Sequence, residues 1–213
     1  MWKKKAACIL AVMALCGTMA ASAANYTILE KADKVETTVY GTTQTGSLND
    51  RIAALDKLLN GQSTVSGSLQ DKTNALYKDV YGNSGSDLSL LTAVNLMQWQ
   101  YSGQITDEPL LVRVESLEQS IDGKTLSGSL EGRVLSLRQA LLGNKKYVSQ
   151  TVTIPANTLV TMTNIDALNS KTIQEGDVVR FAVADDVCVG DVIAIPRGME
   201  ATGTVTKARK SGR

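Results

Sequence analysis

The sequence predicts a multidomain α + β protein: an N-terminal array of about six short helices in 20–21-residue repeats, followed by a small all-β barrel or sandwich. Three observations predict it. Glycines at 41, 61, 82, 103, 123 and 143 form a ladder with steps of 20, 21, 21, 20 and 20 residues. Four columns before each glycine are apolar almost without exception. Beyond Gly143 that pattern gives way to short β-branched runs broken by Pro, Gly, Asn and Asp.

The chain opens with a basic run, Lys3, Lys4 and Lys5, then a mostly apolar stretch from Ala6 to Ala14, then Ala21-Ser22-Ala23. This is the layout of a cleaved targeting segment, residues 1–23, and it predicts export to the periplasm or the cell envelope or surface. Leu15 before Cys16 argues against lipid attachment, because a small residue is wanted there. No other stretch is long and apolar enough to span a bilayer, so no transmembrane span is expected after cleavage.

Residues 24–143 are the helical domain. Thirteen positions before each ladder glycine stand Ile28, Leu48, Leu69, Leu90, Leu110 and Leu130; six before it stand Val35, Leu55, Leu76, Met97, Leu117 and Leu137. Two further columns, nine and two before the glycine, are apolar apart from Thr73. Separations of 4, 3 and 4 residues put all four columns on one helical face. Each unit is therefore one helix. Thr27, Ser47, Ser68, Ser89 and Ser129 stand where a hydroxyl accepts the orphan amides of a first turn, with Glu30, Asp50 and Asp71 placed for capping boxes. The ladder glycines then supply left-handed stops. In the fifth unit Pro109 replaces the hydroxyl, which predicts a start at Asp107 or Glu108.

Four buried side chains per unit are too few to offset the chain entropy of a dozen ordered residues, so the units must pack on one another. Linkers of five to six residues suit antiparallel neighbours. From Leu88 to Thr106 there is no charged residue, which marks the fourth helix as the one the others wrap.

Residues 144–147 read as a polar hinge and 148–213 as the β-domain, with strands expected at 148–154, 158–162, 178–183, 192–195 and 201–206. Pro155-Ala156-Asn157 and Pro196-Arg197-Gly198 read as turns, each after an isoleucine, in a weak duplication of a kind that can close a small barrel. Asp185, Asp186 and Asp191 fit a hairpin turn better than a calcium loop, since they lack the spacing and fixed glycine of one. The last alternating strand has no following partner, which favours a chain cut from a longer protein.

Composition narrows the function classes. Losing the targeting segment lowers Lys+Arg from 22 to 19 against 21 Asp+Glu, a balance that excludes nucleic acid as a partner. The chain has no histidine, so imidazole bases, imidazole metal ligands and histidine-dependent triads are excluded. Cys188 alone would remain of three cysteines, and it reads as a small buried hydrophobe. No cluster of Ser, Lys, carboxylates or thiol suggests catalysis, so no enzyme, no cofactor and no metal is expected.

Ten positions before the glycine stand Lys31, Arg51, Lys72, Arg113 and Arg133, with Ala93 in the apolar unit. This row, with Lys207, Arg209 and Lys210 in the tail, is the candidate partner-binding set: a basic row suits acidic glycans or wall carboxylates. The competing reading is ion pairing along the helix flanks, since residues 24–143 carry 10 basic against 14 acidic groups.

Val39-Tyr40-Gly41 with Gly46-Ser47-Leu48 and Arg51, and Gly128-Ser129-Leu130 with Arg133, resemble helical repeats of uncharacterised exported bacterial cell-envelope proteins. Gly176-Asp177-Val178-Val179-Arg180-Phe181 through Ile195-Pro196-Arg197-Gly198 resembles a β-domain found in such proteins, and more distantly the β-barrel end of secretion-channel subunits with an Ile-Pro-x-Gly turn. The resemblance implies no catalytic residues. The expected function is a non-enzymatic cell-envelope protein, a spacer or docking module through its helices, whose β-domain binds an envelope protein or cell-wall polymer. The alternative is an accessory subunit of a secretion, pilus or transport assembly. Self-association is left open.

Overall fold

The computed structural model describes residues 11–12, 26–62, 66–169 and 172–208. The targeting segment, apart from Ala11 and Val12, and the tail residues Arg209 and Lys210 lie outside the described residues.

Six helices of 13 residues follow the ladder: α1 (Ile28–Tyr40), α2 (Leu48–Asn60), α3 (Leu69–Tyr81), α4 (Leu90–Ser102), α5 (Leu110–Asp122) and α6 (Leu130–Leu142). The side chains of Thr27, Ser47, Ser68, Ser89 and Ser129 each accept the backbone N–H three residues on. Reciprocal capping boxes close at Thr27/Glu30 and Ser68/Asp71. α5 departs from expectation by starting at Leu110, in register with its siblings. Pro109 sits at the cap with extended backbone and its carbonyl accepts from Arg113 N at 3.0 Å. A proline carbonyl can open a helix as well as any other, so the apolar register decides the start.

Four of the six stop signals are as expected: Gly41, Gly61, Gly103 and Gly123 are left-handed, whereas Gly143 has positive φ (57°) but ψ −136°, outside the left-handed helical region, and Gly82 is extended (φ −84°). Its successor residues form a tight Ser84–Asp87 bridge, and a Cβ on Gly82 would lie 2.8 Å from both Cγ and O of Lys78. Close approach, not handedness, requires glycine there.

All six helices share one core. α1, α2 and α3 pack on one another, as do α4, α5 and α6, and the trios meet through α1–α5, α2–α6 and α3–α4. The array is thus closed into a bundle, since first and fifth, second and sixth units touch. α4 is buried at every position from Leu90 to Trp99, the central helix that its uncharged sequence predicts. Tyr101, one stripe position, is half exposed instead; Trp99 turns inward in that last turn. No described helix is long and apolar enough to cross a membrane.

The C-terminal region is mixed into two small sheets and is not a closed barrel. β1 (Ala11–Val12), β4 (Val187–Val189) and β5 (Val192–Ile195) form one in the order β1-β5-β4. β2 (Met162–Asn164), β3 (Val178–Val183) and β6 (Glu200–Thr204) form the other, antiparallel in the order β2-β3-β6. Residues 148–154 make no strand, and the strand expected at 158–162 begins only at Met162. β-Branched composition alone does not supply a ladder partner. The two Pro-led turns are as expected: Thr158 N bonds Pro155 O and Met199 N bonds Pro196 O, with Asn157 and Gly198 at positive φ. Cys188 is exposed rather than buried, because it lies on β4, an edge strand the sequence did not announce.

Candidate functional site

The basic row resolves into interhelical pairing. Arg51 on α2 donates through Nε to Glu36 Oε1 (2.9 Å) and through Nη2 to Glu36 Oε2 (2.6 Å), reaching Asp33 as well. Arg133 on α6 grips Glu118 on α5 in the same fork, at 2.8 and 2.7 Å. Glu36 and Glu118 are fully buried, and each carboxylate also accepts a linker amide eight residues on, Gln44 N (2.7 Å) and Leu126 N (3.1 Å). Each glutamate therefore ties its own helix, the following linker and the next helix together.

Burial pushes the Glu118 carboxyl up, but the Arg133 fork and the Leu126 amide outweigh it and hold it below the ordinary glutamate value. Hydrogen bonds to Glu36 and then to Asp33 correspondingly raise the Arg51 guanidinium. In the α4–α5 pair the acid is replaced: Arg113, buried, donates to the amide oxygens of Gln98 (Nε, 2.8 Å) and Asn95 (Nη2). Lys31 bonds Asn74 Oδ1 at 2.6 Å and lies 5.8 Å from the Tyr77 ring centroid. Lys72 is half-buried and Lys207 exposed. The structure thus gathers Arg51, Arg113 and Arg133 into the bundle rather than onto one outer row. The fifteen-residue spacing of Glu36, Gln98 and Glu118 from Arg51, Arg113 and Arg133 carried that signal in the sequence.

The second sheet docks on the bundle through the Ile-Pro-x-Gly turn. Ile105, in the α4–α5 linker, donates to Gly198 O (2.9 Å) and accepts from Glu200 N (3.1 Å). A Cβ on Gly198 would lie 2.2 Å from Gly103 O, so this turn and the end of α4 touch backbone to backbone. Arg197 lies over the Trp99 ring at 4.9 Å while its amide and Nη1 donate to Asp186 (2.7 and 3.1 Å), which also accepts from Trp99 Nε1. Asp186 thus belongs to this joint, and among the described residues no group of three or more acidic, Cys or His side chains is assembled for a metal.

Beside the joint a cleft of about 650 Å³ opens between bundle and sheet. Leu91 and Ile105 from the bundle face Met162, Val183, Ile195 and Met199 from the β-region across it. Asn95 and Arg113 lie at its bundle side, and Asp107, Glu108 and Glu200 line it as well. Burial, then a hydrogen bond and charge from Asp107, raise the Glu200 carboxyl, with Arg180 acting against them.

Fold and site together define a six-helix bundle carrying a small two-sheet β-region, with an apolar, acid-bordered cleft at their junction. No protein-family model, no curated protein and no solved structure matches this chain.

Proposed function

We propose that this is an exported, non-enzymatic cell-envelope protein that acts by binding, and that the binding site is the cleft between bundle and sheet. The observation that carries the reading is the cleft's size and make-up. A concave space of about 650 Å³ with apolar walls and a few converging polar groups matches the usual small-ligand or peptide-segment site of about 300–1,000 Å³. Two methionines, Met162 and Met199, add adaptable surface. The helical repeats then act as a scaffold: their arginines are engaged in holding helices together, which leaves the docking role to the junction. The envelope setting rests on the layout of residues 1–23.

The test is binding of the neutral fluorophore Nile red to the folded protein, compared with Ala201→Trp, which fills the cleft from β6. Fluorescence enhancement in the parent that Ala201→Trp abolishes supports the reading. Equal enhancement in both, or none in the parent, rejects it.

A further inference from the structure

The sheet edges are not equally guarded. β1, β2 and β4 run for only two or three residues, and the β4 register shifts between Val187 and Cys188. Short or irregular edges resist pairing with another chain. β6 keeps regular register with β3 over five residues, and Glu200-Ala201-Thr202-Gly203-Thr204 holds neither the Pro nor the Lys that commonly blocks an edge.

The first outward rung of β6 is already taken, since Glu200 N donates to Ile105 O. Beyond Ile105 the linker leaves for α5, which Pro109 opens. On the inner side Met199 O accepts from Val183 N and Val205 N donates to Asp177 O, so the odd-numbered residues of β6 face β3. The N–H and C=O groups of Thr202 and Thr204 therefore point away from β3, as those of Glu200 do. Both threonines are exposed, and among the described residues no backbone group pairs with them on that side.

The two ends of this open edge differ in charge. At its start Glu200 stands within hydrogen-bonding reach of Asp107, and Asp107 and Glu108 are exposed. The cations near that end, Arg180 and Arg197, are paired with Asp166 and Asp186. Past its other end come Lys207, exposed, and then Arg209, Lys210 and Arg213 in the sequence. Glu175 and Asp177 lie beside that end and leave it with a surplus of positive charge. An interface about a two-fold axis must be complementary to itself, and an edge acidic at one end and basic at the other meets that condition when two copies run antiparallel.

We infer that two copies of this chain pair through β6, edge to edge and antiparallel, joining their β2-β3-β6 sheets into one. Thr202 of each strand then faces Thr204 of the other, and the two exchange N–H···O bonds. Asp107 and Glu108 of each copy come near Lys207 and the tail cations of the other. A contact of a few residues buries less than the roughly 1,000 Å² of a stable interface, so the dimer is weak and salt-sensitive. It is independent of the cleft as a binding site.

The test is sedimentation velocity of the folded protein from micromolar to submillimolar concentration, at low salt and at about 0.5 M sodium chloride. A monomer–dimer equilibrium is expected, with a dissociation constant about tenfold or more higher in the salt. Hydrogen exchange at the Thr202 and Thr204 amides should slow as the dimer fills. Thr204→Pro removes an outward N–H and leaves the ladder to β3 intact, so it should abolish the dimer. Lys207→Glu should weaken the dimer about tenfold, and adding Glu108→Lys should restore it. A chain monomeric throughout at low salt overturns the inference, as does a dimer whose Thr202 and Thr204 amides exchange as fast as the monomer's. So does a dimer that survives Thr204→Pro, or charge variants that neither weaken nor restore it. Should Thr204→Pro lose its thermal transition, Lys207→Glu with and without Glu108→Lys decides in its place.

Discussion

Replacing Glu118 by leucine leaves the Arg133 guanidinium in a protein interior with its fork partner gone. Glu118 is wholly buried, and Arg133 is 8% exposed, with Glu115 4.0 Å away as its remaining carboxylate. Breaking such a pair from one side costs about 3–5 kcal/mol, most of it the uncompensated charge. At about 2–4 °C per kcal/mol for a chain of this length, the thermal midpoint should fall by roughly 6–20 °C. Glu118→Gln keeps an acceptor and should cost only about 1–2 kcal/mol, since it rebuilds the Gln98–Arg113 arrangement already present between α4 and α5. The double change Glu118→Leu with Arg133→Met removes both charges. It should recover to within about 1 kcal/mol of the parent, the remainder being the Leu126 amide that loses its acceptor. Urea unfolding followed by far-ultraviolet circular dichroism reads all three. A cost below about 1 kcal/mol for Glu118→Leu, or a double variant as damaged as the single one, would refute the claim that these pairs tie the helices together.

Glu118 also gives the bundle an acid sensitivity: its folded-state carboxyl is held low, so its contribution is full above the ordinary glutamate value of 4.5 and is lost as pH falls through the lowered one. The difference in unfolding free energy between parent and Glu118→Gln should therefore shrink on acidification below that value. Glu200 runs the other way, because its folded-state carboxyl is raised and its ionisation opposes folding. Glu200→Gln should stabilise the protein by a modest amount at neutral pH, with the gain vanishing below 4.5, where folded and unfolded chains both hold the proton. Gly198→Ala should free the second sheet from the end of α4, since its Cβ would meet Gly103 O at 2.2 Å and its backbone stands at φ +77°. Hydrogen exchange of the Ile105 and Glu200 amides should rise by an order of magnitude or more, and unchanged protection would rule out the docking role given to that turn. Ser68→Ala removes a reciprocal cap and should cost about 1 kcal/mol by the same urea assay, an effect absent if α3 is held by packing alone.

The local half of this architecture is written in the chain. Helix starts, stops and inward faces depend on contacts between residues three and four apart, and the hydroxyl, apolar and glycine columns state them directly; the inner columns from Val35 to Leu137 are all buried. The Pro-led turns at Asn157 and Gly198 are equally local. The strands were legible only where two runs met a partner: Val178–Val183 and Val192–Ile195 do, whereas the equally β-branched 148–154 does not.

What the sequence by itself determined is a set of six capped helices and several turns, because those obey short-range geometry. Only the tertiary structure decided that the helices close into two interlocked trios and that Gly198 seats a sheet on α4. The cleft lined by Asn95 together with acids from a linker and a strand belongs to that second category as well. Residues 95, 107 and 200 meet only through the packing of the whole chain, and no periodicity along it records a meeting over such distances.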